Sequence, residues 1–453
     1  MGKETLPSTY IEQMKPILGG DLPAFLHSYD QPRTQGLRFN ELKATPELKE
    51  KVISLFGLKP VPWCPSGYYY AENLRPGKHP YHQAGLYYIQ EPSAMSAVEL
   101  LDPQPGETIL DLAAAPGGKS THIASKMNGQ GLLISNEIHP ERAKILAENV
   151  ERMGISNALV TSAAPDELSG RFPETFDRIM LDAPCSGEGM FRKDPKALAE
   201  WSPSMVDMCA SRQRDILDHA YVMLKPGGKL AYSTCTFNLQ ENEGMMEQFV
   251  EAYPDMEIIE MKRLWPHLEA GEGHFVALLK KSESESNSSS NSNSASGKKR
   301  SRKMPDKRKG SAEQAALSNV AAWADEELPG YCLPTGTPVL FGESLYLLPT
   351  DEPLPLSGLK IPRAGLHLAH IKKNRIEPAH ALAMALAPEQ AKHSVQLTAE
   401  DPQVEAFLRG ETLPVDPSLR GWALVTVNGL PLGWGKASGG QLKNHIPKGL
   451  RQF

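Results

Sequence analysis

Short apolar runs alternate with amphipathic stretches between residues 104 and 281. The runs have the length of strands and lie at 107–114, 131–137, 158–164, 176–183, 227–235 and 273–281. Helical patterns lie between them, for example at 139–154 and at 204–228, where Ser202-Pro203 marks a start and Lys225-Pro226-Gly227 an end. Strands that alternate with helices of this length predict an α/β fold with a mostly parallel, doubly wound sheet. Ligands of such sheets bind at the carboxyl ends of the strands.

The pattern changes on both sides of this segment. Residues 1–103 mix proline and aromatic residues with no clear period. Residues 282–314 are rich in Ser and Asn and then in Lys and Arg, and 281–310 carry nine Lys or Arg against three Asp or Glu. Such a segment buries too little apolar surface to fold, so we expect a flexible linker, either a solvated spacer or a tether to RNA phosphate. A second folded region, 315–453, divides near residue 390, where the helix-like 377–391 gives way to strand-like pieces.

Composition narrows the class of protein. The chain has 453 residues, 40% hydrophobic and 23% charged, which is typical of a soluble globular protein. No apolar run reaches the roughly 18 residues that span a bilayer, and the N-terminus has no secretory pattern, so we expect no membrane association. A net charge of −6 argues against binding nucleic acid through bulk positive charge, although a local basic surface stays possible.

The cysteines and histidines suggest neither disulfides nor a metal. Five cysteines, an odd number without a C-x-x-C pair, indicate a reducing, cytoplasmic compartment. His367 and His370 lie close together but lack an evident third ligand, so no metal site is predicted. We expect a monomer, because no spare apolar stripe stands out.

The stretch "DLAAAPGGKS" (111–120) follows the first predicted strand. It ends as a P-loop does, but Ala113 stands where the P-loop needs glycine, and G-x-G-x-x-G is also absent. A strand, a glycine loop and a helix present backbone N–H groups at a helix N-terminus, which Gly117 and Gly118 let a ligand approach. Glu137, at the end of the second strand, can accept both ribose hydroxyls. These features favour S-adenosylmethionine as cofactor; the alternative is an ordinary tight turn with a surface glutamate.

Two cysteines follow neighbouring strands, Cys185 in "DAPCSGEGMFRKDP" and Cys235 in "STCTF". By contrast, Cys209 lies within a helical pattern and is interpreted as a core residue. A thiolate that adds to carbon 6 of a pyrimidine makes carbon 5 nucleophilic, and a second group then helps the carbon 5 proton to leave. Asp182 could bond to the ring nitrogen and stabilise the adduct. Methylases of exocyclic amines typically carry an Asn/Asp-Pro-Pro-aromatic turn at this point, and this chain has Asp-Ala-Pro-Cys.

The motifs "AAAPGGKS", "DAPCSGEG" and "STCT", in this order, resemble those of the RNA 5-methylcytosine methyltransferases of the RsmB/Nop2/NSUN group. "RTQGLRFN" and "LYYIQEPSAMSAV" resemble the N-terminal region of that family. "GEGMFRKDP" and the C-terminal "GWGKASGGQLKNHIPKGLR" are similar to the RsmF branch, which modifies 16S ribosomal RNA and carries a PUA-like domain. The resemblance implies an N-terminal RNA-binding region (1–103), a Rossmann-like S-adenosylmethionine-dependent methyltransferase core (104–281), a first C-terminal domain (315–390) and a PUA-like RNA-binding domain (391–453).

The resemblance also implies roles for individual residues. Cys235 would be the nucleophile, Cys185 would assist product release, and Asp182 and Lys119 would line the base and cofactor site. The implied cofactor-binding residues are Ala113, Ala114, Ala115, Pro116, Gly117, Gly118, Lys119, Glu137, Arg142 and Asp182. Many members carry an Asp near the adenine after the third strand, where this chain has Ala164. Either Asp166 or backbone and apolar contacts take its place, and no residue is assigned to the adenine.

The predicted function is transfer of a methyl group from S-adenosylmethionine to carbon 5 of a cytosine in 16S ribosomal RNA, through a covalent cysteine–RNA intermediate. The expected partner is 16S RNA or the small ribosomal subunit, from which a paired cytosine would have to be flipped out. Two alternatives stay open: transfer RNA as substrate, and a non-catalytic RNA-binding assembly factor, which the intact cysteines and glycine loop disfavour. Candidates for phosphate contact, for each of which a solvated surface charge is the favoured interpretation, are Arg38, Lys436, Lys443, Lys448 and Arg451.

Overall fold

The computed structural model describes residues 6–283, 307–373 and 375–451. The helices are α1 Ser8–Leu18, α2 Leu22–Ser28, α3 Pro46–Phe56, α4 Pro80–Gln83, α5 Ser96–Leu101, α6 Gly118–Met127, α7 Pro140–Arg152, α8 Pro165–Ser169, α9 Pro195–Glu200, α10 Pro203–Met223, α11 Glu243–Ala252, α12 Lys307–Glu327, α13 His380–Met384 and α14 Pro402–Leu408. No helix among the described residues is long and apolar enough to cross a bilayer.

The strands are β1 Gly36–Phe39, β2 Lys59–Val61, β3 Cys64–Tyr69, β4 Tyr87–Ile89, β5 Thr108–Asp111, β6 Leu132–Asn136, β7 Ala158–Ser162, β8 Phe176–Asp182, β9 Leu224–Thr234, β10 Met256–Leu264, β11 His274–Lys281, β12 Thr337–Phe341, β13 Ser344–Leu348, β14 Lys360–Ala364, β15 Leu366–Lys372, β16 Arg375–Pro378, β17 Ser394–Leu397, β18 Leu413–Pro414, β19 Gly421–Val427, β20 Leu430–Ser438 and β21 Gln441–Asn444. Across the described ranges they form four sheets, with strand orders β2-β3-β1-β4, β10-β11-β9-β8-β5-β6-β7-β14, β12-β13-β15-β16 and β17-β19-β20-β21-β18.

The eight-stranded sheet is the predicted doubly wound core. Its strands β5 to β9 run parallel, with β5 between β6 and β8. Strand order therefore reverses at β5, and a crevice opens above its carboxyl end. On one flank β11 pairs antiparallel with β9, and β10 pairs antiparallel with β11. The prediction of a doubly wound, Rossmann-like core is confirmed.

Sequence signals place most elements of this core within a few residues. Ser202 caps α10 by accepting a hydrogen bond from the Met205 backbone N–H, as its position before a proline suggests. At the other end, β9 begins at Leu224, so the Pro226-Gly227 pair lies inside a strand instead of following a helix. The helix-like 377–391 forms one short α-helix, α13, between Pro378 at the end of β16 and a 3-10 turn that begins at Pro388, because both prolines interrupt a longer helix.

The other flank of the central sheet contains a strand that the sequence did not predict. Strand β14 comes from the region after the linker and pairs antiparallel with β7, with Arg363 opposite Val160 and Ala364 opposite Leu159. Residues 315–390 therefore complete the methyltransferase sheet in addition to forming their own. Helix α12 covers 307–314, which the sequence assigned to the linker, and residues 284–306 of that linker lie outside the described residues.

The first and last regions of the chain share one apolar core. Leu37 and Phe39 of the N-terminal sheet belong to the same buried cluster as Phe407 and Val425 near the C-terminus. The Tyr81 hydroxyl also donates a hydrogen bond to the Asn428 side-chain oxygen at 2.9 Å. The N-terminal sheet is thereby fixed against the C-terminal domain.

Candidate active site

The glycine loop crosses the carboxyl end of β5. Gly117 has φ 117°, in the left-handed region that favours glycine, and a Cβ there would lie 3.2 Å from a Leu146 methyl. Arg142 donates a hydrogen bond to the Ala115 carbonyl (2.8 Å), and Asn149 donates to the Pro116 carbonyl (2.9 Å). These two side chains of α7 therefore hold the loop from one side. Helix α6 begins at Gly118, and its N-terminal N–H groups lie at the crevice.

A cavity of about 350 Å³ lies beside this loop. Of the predicted site residues, those that line it are Ala113, Ala114, Ala115, Pro116, Gly118, Lys119, Asp182 and Cys235. Gly117, Glu137, Arg142 and Cys185 do not line it. Two further walls contain none of the predicted site residues: 88–91 of the N-terminal region, and 272–274 before β11. The N-terminal wall lies within the motif "LYYIQEPSAMSAV", so resemblance was its only signal.

Glu137 directly follows β6 and is 3% exposed. One carboxylate oxygen accepts the His139 backbone N–H at 2.9 Å, and the other lies 3.2 Å from the Arg142 guanidinium. Arg142 therefore joins this carboxylate to the glycine loop. Farther along the same edge, Ala164 precedes α8 and Asp166 is exposed in its first turn; neither lines the cavity.

Lys119 and Asp182 form an ion pair at the centre of the site. The Lys119 ammonium is buried and lies 2.7 Å from one Asp182 oxygen, and the Ser233 hydroxyl donates to the other at 2.9 Å. Burial acts to raise the pKa of Asp182, but the Lys119 charge and these hydrogen bonds hold that pKa below its ordinary value. Asp182 is thus a fixed anion beside Cys235.

The two strand-end cysteines meet, with their sulfur atoms 3.4 Å apart. The contact with Cys235 and burial raise the pKa of the Cys185 thiol well above its usual range, so Cys185 is held as the neutral thiol. Cys209 instead lies buried in α10, where burial raises its pKa to about 11.

Glu241, which is fully buried, joins the loops that carry the cysteines. Its carboxylate accepts hydrogen bonds from the Ser186 backbone N–H (3.0 Å), from the Ser186 hydroxyl, from Gln213 (2.8 Å) and from the Asn238 amide (2.7 Å). Ser186 follows Cys185, and Asn238 lies three residues after Cys235. Every donor is a neutral group.

A second buried carboxylate, Glu188, repeats this arrangement. It accepts the backbone N–H groups of Phe237 (2.6 Å) and Asn238 (3.0 Å) and the Trp201 indole N–H (3.2 Å). Next to it, the Gly189 N–H donates to the Cys235 carbonyl at 2.8 Å. We call Glu188 and Glu241 the carboxylate clamp. No sequence pattern predicted it, because the pairing depends on the contact between two loops.

Arg38 was named as a candidate for phosphate contact or else a solvated surface charge, and its burial shows that both interpretations are wrong. Its side chain is fully buried and donates to the Gln90 amide oxygen (3.0 Å), to the Thr121 hydroxyl (2.9 Å) and to the Gly118 carbonyl (3.3 Å). Arg38 therefore supports the glycine loop from the N-terminal sheet. The other candidates stay predictions: Lys436, Lys443 and Lys448 are exposed, and Arg451 is half-buried.

A group of possible metal ligands, Cys64, Glu99 and His122, lies behind α6. Glu99 bonds to the His122 imidazole at 2.9 Å and to the Lys126 ammonium at 2.8 Å. Because a lysine already neutralises this carboxylate, we interpret the group as a hydrogen-bonded structural unit. His367, which the sequence placed close to His370, stacks on the Tyr346 ring, and His370 packs edge-on against His367.

The doubly wound sheet with a glycine loop at its central strand is the fold of an S-adenosylmethionine-dependent methyltransferase, and S-adenosylmethionine is the cofactor. Four family descriptions match successive parts of the chain: N-terminal domain of 16S rRNA methyltransferase RsmF (6–92), 16S rRNA methyltransferase RsmB/F (98–280), RsmF rRNA methyltransferase first C-terminal domain (322–386) and methyltransferase RsmF PUA domain (394–452). The chain belongs to the RsmF branch of the RsmB/F family.

Individual relatives agree with this assignment. Ribosomal RNA small subunit methyltransferase F of Shewanella amazonensis is 33% identical, over 97% of this chain and 96% of its own. The protein of the same name from Aliivibrio fischeri is 32% identical, over 98% and 97%. Among solved structures, a methyltransferase homologue from Pyrococcus horikoshii is 27% identical with a TM-score of 0.54, over 61% of this chain and all of its own. NSun6 of the same organism, solved with the ligand SFG, has a TM-score of 0.56 at 21% identity, over 62% of this chain, and shares the fold.

Proposed function

We propose that the protein methylates carbon 5 of a cytosine in 16S ribosomal RNA through a covalent bond between Cys235 and carbon 6 of the base. The observation that carries this proposal is the pair of cysteine sulfurs 3.4 Å apart, with Cys235 in one cavity with Asp182 and Lys119. Methylation at an amine needs no thiol, whereas activation of carbon 5 needs a nucleophile at carbon 6.

The residues around the cavity fit S-adenosylmethionine. The glycine loop offers N–H groups to a carboxylate. Glu137, which follows β6 outside the cavity lining, is the candidate acceptor for the ribose hydroxyls. A Cβ at Gly118 would lie 3.4 Å from the Gln90 amide, so glycine keeps this approach open. When bound, the cofactor supplies a methyl group on a positively charged sulfur.

The chain's own residues then account for the other steps. The Cys235 thiolate forms a bond to carbon 6, and the electron pair of the carbon 5–carbon 6 double bond becomes available at carbon 5. Asp182, held by Lys119 and Ser233, faces the ring nitrogen and passes to it a proton from the Lys119 ammonium, which neutralises the negative charge that thiolate addition places on the ring and stabilises the adduct. Once Cys235 is bonded to carbon 6, the contact that keeps Cys185 protonated is lost, so Cys185 can release its own proton to solvent. After methylation the carbon 5 proton passes to the Cys185 sulfur, the C–H electron pair re-forms the carbon 5–carbon 6 double bond, and Cys235 leaves carbon 6 as a thiolate. We assign assistance in this release to Cys185.

The substrate and the domain roles are part of the proposal. The RsmF-type matches along the chain favour 16S RNA, presented by the small subunit, over transfer RNA. We propose that residues 1–103 and 391–453 bind RNA on either side of the core at 104–281, that 315–390 form the first C-terminal domain, and that the protein acts as a cytoplasmic monomer.

The test is a denaturing gel of protein incubated with 16S RNA and S-adenosylmethionine. We expect Cys185→Ala to trap a slowly migrating covalent adduct, and Cys235→Ala to trap none and to transfer no methyl group. Cys209→Ala, a buried cysteine outside the site, is the matched control and should behave as the wild type. Trapping by Cys235→Ala alone would exchange the two roles. If no variant traps RNA and the wild type methylates no 16S RNA, the proposal is wrong.

A further inference from the structure

His274 occupies a position beside Cys235 that the mechanism above does not use. It is the first residue of β11, and the register of the β9–β11 pair sets Phe275 opposite Thr234. One step farther, His274 is level with Cys235. Opposed residues of an antiparallel pair point to the same face of the sheet with their Cβ atoms about 5 Å apart. The imidazole therefore belongs to the cysteine side of the cavity.

The preceding residue fixes this placement. Gly273 has φ 106°, and a Cβ there would lie 2.4 Å from the Phe237 ring. Only glycine fits, and the turn brings 272–274 into the cavity wall. Phe237 is two residues from Cys235. The contact between Gly273 and Phe237 therefore orders both the turn before His274 and the loop that carries Cys235.

The His274 side chain is buried and incompletely bonded. The residue is 4% exposed, and among the described parts of the chain its Nε2 atom has no hydrogen-bond partner. Buried polar atoms are nearly always paired, so an orphan that lines a cavity indicates a ligand atom. Burial and the Lys119 charge lower the pKa of His274 to about 3, so the ring is neutral at physiological pH.

The location distinguishes the two ligands of the site. Glu137, which we assign to the cofactor, follows β6, four strands from β11 in the sheet order. Adjacent strands are about 4.8 Å apart, so roughly 19 Å separate the two strands. His274 is next to the nucleophile, where the reacting base must lie.

We propose that His274 is a base-contacting residue whose Nε2 atom forms a hydrogen bond with the polar edge of the target pyrimidine when carbon 6 lies over Cys235. This inference rests on the proposed function, because it presupposes a base bound at Cys235. It adds a contact that positions the base independently of Asp182.

The experiment compares His274→Phe, which keeps the ring and removes both nitrogens, with His274→Asn, which keeps a polar group. His27→Phe, at an exposed position in α2, is the control. Methyl transfer to 16S RNA is measured as kcat and KM, and S-adenosylmethionine binding is measured separately by titration calorimetry.

We expect His274→Phe to lower kcat/KM roughly tenfold or more and cofactor affinity less than twofold, with partial recovery in His274→Asn. In the Cys185→Ala background, His274→Phe should also lower the yield of covalent RNA adduct. A His274→Phe enzyme with wild-type kcat/KM and adduct yield would overturn the inference and leave the proposed function intact. Equal loss of cofactor binding would also overturn it, since the role would then be structural. Failure of the wild type to form any adduct would refute the function itself.

Discussion

Carboxylates join distant segments at both flanks of the central sheet, but their partners differ. On the cysteine flank, the carboxylate clamp (Glu188 and Glu241) accepts hydrogen bonds from neutral donors in neighbouring loops. On the opposite flank, Glu151 of α7 pairs with charged or chargeable groups more than 200 residues away. Its partners are the Arg363 guanidinium of β14 (3.3 Å) and the His380 imidazole of α13 (2.8 Å).

This difference indicates two roles: the clamp positions the cysteine loops, and the Glu151 pairs dock the C-terminal region on the sheet. At the clamp, the hydrogen bonds that Glu188 and Glu241 accept fix the distance between the loops that carry Cys185 and Cys235. At the β7–β14 flank, the pairs attach the C-terminal region to the methyltransferase sheet, and His380 extends the contact to the Leu432 carbonyl of β20 at 3.2 Å. Changes at the clamp should therefore affect chemistry before stability, and changes at Glu151 should do the reverse.

The largest expected effect is that of Glu241→Gln. The amide nitrogen of glutamine would face a donor from Ser186, Gln213 or Asn238, so the two cysteine loops would move apart. A displacement of about 1 Å at reacting groups costs on the order of 100-fold in rate. We expect methyl transfer to 16S RNA to fall by about that factor while calorimetric affinity for S-adenosylmethionine stays near the wild-type value. Glu405→Gln, at an exposed glutamate in α14, is the control and should be silent. Full activity in Glu241→Gln would show that the clamp does not set the cysteine geometry.

Glu151→Leu tests the other flank. It leaves Arg363 buried without its carboxylate, and because Glu151 is itself a fifth exposed, we expect a loss of about 2 kcal/mol in unfolding free energy. Urea unfolding should report this loss, and Glu151→Leu combined with Arg363→Met should recover part of it by removing the orphaned charge. Cofactor affinity should change little, since Glu151 lies outside the cavity. A double variant less stable than Glu151→Leu would contradict an ion-pair role.

The two flanks also show what a sequence can predict. Alternating apolar runs predicted β5 to β9 and β11, and motif order predicted that Cys185 and Cys235 follow adjacent strands, because the carboxyl ends of parallel strands share an edge. Strand β14 was missed because its pairing with β7 spans some 200 residues and leaves no local period. Nothing in the sequence distinguishes Glu188 and Glu241 from surface glutamates, since burial of a carboxylate depends on donors that only the folded loops supply. Arg38 was misread for the same reason.

Arg38 extends the comparison to a buried positive charge. It lies in the N-terminal sheet and donates hydrogen bonds to neutral acceptors. We expect Arg38→Met to weaken S-adenosylmethionine binding by about tenfold, since the Gly118 carbonyl and the Thr121 hydroxyl lose their donor. The salt dependence of RNA binding should not change. Lys443→Ala is the contrasting variant: if Lys443 contacts phosphate, it should reduce the salt slope by about one and leave cofactor affinity unchanged. A reduced salt slope in Arg38→Met would restore the phosphate role that its burial argues against.

Asp111 lies in β5, between the two flanks, and we expect its replacement to have the smallest effect on stability. It tests whether a buried carboxylate with too few hydrogen-bond donors behaves differently from the clamp. The Ser120 hydroxyl bonds to one of its oxygens at 2.6 Å, and within the described residues the other oxygen has no partner. Burial raises the pKa of Asp111 to about 7, so the folded protein holds a proton that the unfolded chain releases near pH 4. The resulting stability is complete below about pH 4 and is lost as pH rises toward about 7.

Asp111→Asn removes this dependence, so its unfolding free energy relative to the wild type should rise by about 1 kcal/mol between about pH 5.5 and 6.5 in urea titrations. Asp416→Asn, at an exposed aspartate, should show no such trend. A constant difference between Asp111→Asn and the wild type across this range would mean that Asp111 stays ionised in the fold, as an acid with the donors of Glu241 could.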